Sequence, residues 1–135
     1  VKTLVCLLSG QDDIELNFKA ALHVNPHTIF VCHTDEASEH AVQLGFRLEN
    51  ALHPEFKMVQ VHAHNLDLIQ DVAEQLFMSL QNKSVVLHYS GGTKPMSVGF
   101  FEEFRSGSCS LLHTDPEASN AWWRGPEGFY SEKMS

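Results

Sequence analysis

Four times along the chain, a short apolar run gives way to a stretch whose apolar residues recur at helical spacing. Thr3 to Leu8 is a continuous apolar run, as a strand buried on both faces requires, and Thr28 to Cys32, Val85 to His88 and Cys109 to His113 also read as strands. Phe56 to His62 alternates instead, with Lys57 between Phe56 and Met58, and this places it nearer a sheet edge. The intervening segments carry one apolar stripe each. These are Ile14, Phe18, Ala21 and Leu22; then Ala37, Ala41, Leu44, Leu48 and Leu52; then Ile69, Val72, Ala73, Leu76 and Leu80; and last Met96, Phe100 and Phe104. Asn25-Pro26, His53-Pro54 and Ser106-Gly107 supply stops, Asp35 and Glu36 suit the start of the second helix, and Asn65 is placed to cap the third.

Regular alternation of this kind predicts an α/β fold: a Rossmann-like three-layer α/β/α domain around a mostly parallel sheet of five to six strands. Right-handed crossovers leave few topologies. The commonest runs outward through strands two and three, then returns to set strand four on the other side of strand one. The tail, "DPEASNAWWRGPEGFY", departs from the pattern. It reads as a turn, a short antiparallel strand over Ala121 to Arg124 that completes a C-terminal hairpin, and a loop. Trp122 and Trp123 there either cover the sheet edge or stack on a base, and covering fits the hairpin better. The 135 residues form one domain, 1–135, and the immediate entry from Val1 into an apolar run suits a domain cut from a longer protein.

In that topology the loops after strands one and four meet where the winding reverses, and a crevice opens beyond the carboxyl ends of the strands. The two loops are Ser9-Gly10-Gln11-Asp12 and Tyr89-Ser90-Gly91-Gly92-Thr93-Lys94. Paired glycines permit unusual backbone angles and a close approach by a ligand. Amides of Gly92, Thr93 and Lys94 at a helix start, hydroxyls of Ser90 and Thr93, the Lys94 charge and the helix-compatible Pro95 together favour an anion, phosphate above all. A tight turn with an exposed lysine is the plainer alternative. The spacing matches neither a Walker loop nor GxGxxG, which disfavours kinase-like and dinucleotide-dependent enzymes.

Charge narrows the partners. The formal net charge is -8, from 9 basic against 17 acidic side chains, with no basic run, so a long nucleic acid is not expected. A small anion remains compatible, because the positive site is local. No apolar run reaches membrane-span length, which argues against direct membrane contact. Cys6, Cys32 and Cys109 lack CxxC spacing and read as reduced, buried thiols of a cytoplasmic protein. Histidines recur at strand ends, at His33, His62, His64, His88 and His113. His62 and His64 would share a strand face, but no third ligand stands near, and no metal is expected. Asp12 and Asp13 suit a helix start better than catalysis.

"HYSGGTKPM", residues 88–96, resembles the signature loop of CARF domains, the CRISPR-associated Rossmann-fold sensors of cyclic oligoadenylates in type III CRISPR defence. "VCHTDEASEHAVQL" is similar to the family's second strand and following helix, and "SLLHTDPEASNAWW" to its fifth strand and returning hairpin; together the similarity runs from Lys2 to Arg124. Family members often carry Asn and Thr where this chain has His88 and Ser90.

The resemblance implies a C2 homodimer that binds a ring of four or six adenylates, with a covalently attached effector and no cofactor. Two equivalent half-sites suit an even-numbered ring, and cyclic tetra-adenylate is the expected ligand. Carried over, Ser90, Gly91, Gly92, Thr93 and Lys94 would hold the ribose-phosphate ring, with Tyr89 and Met96 beside them. Ser9, Gly10, Gln11 and Asp12 would face it, and His33 and Thr34 would lie nearer an adenine. A ring nuclease is the alternative, with Ser9 and Lys94 stabilising developing charge and His33 or His88 as base. A third possibility is a small-molecule enzyme acting on a mononucleotide or phosphorylated metabolite.

Overall fold

The computed structural model describes residues 1–117, 119–125 and 127–134. In chain order the elements are β1 (Lys2–Leu8), α1 (Asp12–Val24), β2 (Thr28–His33), a 3-10 turn (Asp35–Ala37), α2 (Ser38–Ala51), β3 (Glu55–Gln60), α3 (Leu66–Ser79), β4 (Ser84–His88), α4 (Lys94–Phe104), β5 (Ser110–Asp115), β6 (Asn120–Gly125) and β7 (Gly128–Lys133). They form one sheet in the order β3-β2-β1-β4-β5-β6-β7. The first five of these strands pair in parallel, and β5, β6 and β7 pair antiparallel. The expected winding is therefore present: β3 is an edge, and β1 and β4 are neighbours at the point of reversal.

Two cores explain the three layers. Alternate residues of a strand point to opposite faces, so Leu4, Cys6 and Leu8 of β1 meet Ala20, Ala21, Leu44 and Leu48 of α1 and α2. Val5 and Leu7 face the other way, towards Ile69, Ala73, Phe100 and Phe104 of α3 and α4. Each fully buried large side chain of this kind contributes about 1.5 to 3 kcal/mol. The helix boundaries follow local chemistry. Asn65 Oδ1 accepts from the Leu68 amide at 3.2 Å, as its capping position implied, and Asn25 ends α1 in a left-handed conformation, φ 54°.

The structure corrects several expectations. The tail beyond Arg124, expected as a loop, contains β7, so the sheet has seven strands where five to six were expected. Parts of that turn and loop, at positions 118 and 126, lie outside the described residues. Trp122 and Trp123 point to opposite faces. Trp123 covers the sheet as expected, its Nε1 donating to Glu132 Oε1 at 2.7 Å, while Trp122 is exposed. Asp35 and Glu36 occupy the separate 3-10 turn ahead of α2. Cys6 and Cys32 are buried, and burial pushes the Cys6 thiol up to about 12; Cys109 is only half-buried. Among the described residues, no helix is long and apolar enough to cross a membrane.

Candidate functional site

The loops after β1 and β4 are joined by one carboxylate. Asp13 Oδ2, in the first turn of α1, accepts the Ser9 amide at 2.7 Å, the Ser9 hydroxyl at 3.3 Å and the Gly92 amide at 3.1 Å. Hydrogen bonds to a charged group are each worth about 1.5 to 3 kcal/mol. Asp13 is thus an anion of the protein's own, seated among the donors of the glycine loop. The Gly92 amide, expected to serve a ligand, serves Asp13. The hydroxyls are engaged as well. Thr93 Oγ1 donates to the Ala63 carbonyl at 2.5 Å and accepts from the Met96 amide at 3.2 Å, capping α4. Ser90 Oγ accepts from the Thr114 amide at 2.8 Å and lies 2.9 Å from His113 Nδ1.

The paired glycines have an internal reason. A Cβ on Gly91 would stand 2.3 Å from the Leu7 carbonyl oxygen, and one on Gly92, at φ +78°, would stand 2.9 Å from Leu7 Cβ. The expected gap for a ligand is filled by β1, so the glycines let the two loops pack together. What faces solvent is the helix starts. Gln11 and Asp12 open α1, and Lys94 opens α4 with Pro95 next to it; all three side chains named first are exposed. Their main-chain amides have no hydrogen-bond partner among the described residues, as the first amides of a helix do not.

Beneath the loops lies a buried polar chain. Asn17 Nδ2 donates to the Leu7 carbonyl at 2.8 Å, so its Oδ1 is the acceptor for His88 Nδ1 at 2.7 Å. His88 Nε2 then accepts from the Thr114 hydroxyl at 2.7 Å. Burial, with His113 adding to it, holds the His88 pKa down to about 3, and the ring is neutral. His88 therefore supports the floor and does not reach the crevice as a base. Met96 is likewise fully buried, in the core beneath α4, and does not reach the crevice. Tyr89 packs edge-to-face on Phe101, 4.9 Å between centroids, and borders a shallow hollow with His113, Trp122 and Phe129.

A cleft of about 650 Å³ opens beside this floor, lined by Ser9, Thr34, Asp35, Glu36, Gln60, Val61, His62, Ala63, His64 and Thr93. His33 sits beside it, 5% exposed, with Nδ1 donating to the Thr34 carbonyl at 2.8 Å. The sequence points to Ser9, Thr34 and Thr93 as ligand contacts and to His62 and His64 as strand-end histidines, but gives no sign of Gln60, Val61 and Ala63. The chain leaves β3 at Gln60, so His62 and His64 lie on a loop and not on one strand face as expected. His62 Nδ1 accepts the amides of His64 and Asn65 at 3.2 and 2.9 Å and shapes that loop. Among the described residues no group of three or more His, Cys, Asp or Glu could hold a metal ion. Another hollow, of about 480 Å³, lies at the strand starts beside Thr3, Thr28 and Ser84, and none of the expected site residues lines it.

The packing makes two predictions. Gly91→Ala, measured by urea unfolding, is expected to cost about 1 to 3 kcal/mol, since the new methyl must displace backbone; an unchanged midpoint would contradict the packing reason for the glycine. His88 links stability to pH. Its unfolded value is 6.5 and its folded value about 3, so within that window only the unfolded chain binds the proton. Stability is complete above about pH 6.5 and falls as pH drops, by up to about 1.4 kcal/mol per pH unit from this group. His88→Gln should show a shallower loss between pH 7 and pH 5; equal losses in both proteins would refute the assignment.

No protein-family model and no curated protein matches the sequence. Solved structures do match. Can2 from Sulfobacillus thermosulfidooxidans, in complex with cyclic tetra-adenylate, aligns with a TM-score of 0.85 and 21% identity over 100% of this chain and 37% of that chain. Protein VC1899 from Vibrio cholerae gives 0.84 and 18% over 99% of this chain and 36% of that one. A type III CRISPR defence DNA nuclease activated by cyclic oligoadenylate gives 0.75 and 15%, over 98% and 20%. The chain thus spans between 20% and 37% of the length of these proteins. The fold is consistent with the CARF resemblance of the glycine loop: it is the Rossmann-like fold shared with Can2 and with the cyclic oligoadenylate-activated nuclease.

Proposed function

We propose that this chain is a CARF sensor module that binds a cyclic oligoadenylate, cyclic tetra-adenylate foremost, across a two-fold pair of chains, and relays the event to an attached effector. The observation that carries this is the crevice at the reversal point. An exposed Lys94 and the unpartnered amides of two helix starts, at Gln11, Asp12 and Lys94, adjoin loops already locked in place, whose Ser9 and Thr93 line the cleft. It lies on a fold shared with a protein in complex with that ligand. A chain of net charge -8 attracts a polyanion only through a local arrangement, and the start of α4 supplies it, with Lys94 and no acidic residue in its first turn, whereas the start of α1 carries Asp12, Asp13 and Glu15.

Ser9, Gln11, Asp12, Thr34 and Lys94 are the contacts proposed for the ring. Gly10, Gly91 and Gly92 shape the loops, while Ser90 and Thr93 act through the bonds that fix them. Two copies, each with one crevice, match the symmetry of an even-numbered ring. Ligand binding then favours one relative placement of the pair, and the difference in affinity between placements is the signal.

Calorimetric titration with cyclic tetra-adenylate should give one ring per two chains, with the ring recovered intact afterwards. Lys94→Ala should weaken binding by about 1.5 to 3 kcal/mol, the worth of a hydrogen bond to a charged group, with an unchanged melting temperature. Absent heat, or one ring per chain, would contradict the proposal.

A further inference from the structure

With 9 basic side chains against 17 acidic ones, the placing of the arginines is informative. They are Arg47, Arg105 and Arg124. Arg47 is engaged by Glu15 and lies over the Phe18 ring. Arg105 and Arg124 meet in one cleft of about 580 Å³, at the end of the sheet where β5 starts and β6 finishes. Carboxylates line the other clefts: Asp35 and Glu36 beside the glycine loop, Glu55 at the strand starts, and Glu15 between α1 and α2. Among the described residues, no acidic side chain lines the cleft of Arg105 and Arg124.

The two guanidinium groups are held differently. Arg105 donates from Nε and Nη2 to Glu102 at 3.1 and 3.0 Å, which orients the group and leaves Nη1 open. Arg124 has no ion pair or side-chain hydrogen bond among the described residues. Its guanidinium carbon lies 5.9 Å from the centre of the Phe129 ring, so its charge is uncompensated. Ser108, Ser110 and Tyr130 set hydroxyls on the same wall. The last carbonyls of α4 would oppose an anion, but they are engaged. Phe101 accepts the Arg105 amide, Glu103 the Ser106 hydroxyl and Phe104 the Gly107 amide. The cleft is therefore positive and rich in donors, in a chain whose overall charge is -8.

We propose that this cleft binds the phosphate group of a phosphate monoester. Guanidinium forks match the paired oxygens of a phosphate, and a hydroxyl completes the remaining one. A carboxylate offers fewer oxygens and less charge to the same donors, and is held more weakly. The cleft is larger than a bare phosphate, which leaves room for the organic part of the ester. It is separate from the crevice, because α4 stands between them. Lys94 opens that helix and Arg105 lies just past its end, about 16 Å away at 1.5 Å per residue. The proposal therefore stands or falls independently of the sensor reading. Cys109 lines the same cleft and is half-buried, whereas Cys6 and Cys32 are buried, so Cys109 is the thiol a reagent reaches.

Two measurements on the whole chain test it. In an NMR titration at constant ionic strength, glycerol 3-phosphate should shift the amides of residues 107–111 and 124–125. It should bind about tenfold or more tightly than acetate, and glycerol should give no shift. Arg124→Gln should weaken the monoester about tenfold with an unchanged melting temperature, while Lys94→Ala should leave the shifts at residues 107–111 as they were. Alkylation of Cys109 gives a readout that needs no ligand. The ratio of labelling by anionic iodoacetate to labelling by neutral iodoacetamide should fall about threefold or more in Arg124→Gln, and glycerol 3-phosphate should slow both reagents on the parent chain. Shifts confined to the Lys94 loop, acetate binding as tightly as the monoester, or a labelling ratio unmoved by Arg124→Gln would overturn the site. Those results would leave ring binding at the crevice untouched, and a failure of ring binding would leave this site untouched.

Discussion

One oxygen atom sets the geometry of the crevice. Asp13 Oδ2 receives hydrogens from Ser9 and Gly92, and so fixes the loop after β1 against the loop after β4. The contact is possible because Gly91 and Gly92 carry no side chain where Leu7 passes beneath them. Further bonds extend the clamp outward: Thr93 to the Ala63 carbonyl fastens the loop after β3, and the Thr34 amide to the Leu8 carbonyl fastens the loop after β2. Four loops from four parallel strands are thereby held before any ligand arrives. Binding to such a site avoids much of the entropy of ordering loops.

The same clamp changes what a ligand can use. An anion cradle made of the glycine-loop amides would be partly occupied by the protein's own carboxylate, so the remaining positive features carry more weight. These are Lys94 and the amides at the openings of α1 and α4. The buried floor serves the same end. His88, neutral and bonded at both ring nitrogens, joins α1 through Asn17 to β5 through Thr114. A satisfied polar network of this kind admits one arrangement of its members, whereas an apolar floor could slide.

Much of this was legible in the sequence. Unbroken runs gave the buried strands, and the alternation over Phe56 to Met58 marked β3 as an edge. Right-handed crossovers left few topologies, and in the commonest the loops at Ser9 and Ser90 meet, as they do here. What escaped had no sequence signal. β7 is exposed along its whole length, so it lacks the one-sided pattern of a strand and is held by its ladder to β6. Missing side chains at Gly91 and Gly92 suit either a ligand or a neighbouring strand, and sequence cannot separate the two. The partner of His88 lies 71 residues away, and only the folded chain brings Asn17 beside it. Of the cleft residues, Gln60, Val61 and Ala63 were hidden, and His62 and His64 were set on a strand face, because the strand ends two residues earlier than its pattern suggested.

Hydrogen exchange, followed by mass spectrometry with and without cyclic tetra-adenylate, tests the central claim most directly. The account predicts added protection in residues 9–13, 34–36, 60–64 and 89–96, with the strand starts unchanged. Protection confined to the β6–β7 hairpin, or to the hollow at the opposite end of the sheet beside Thr3 and Ser84, would contradict it.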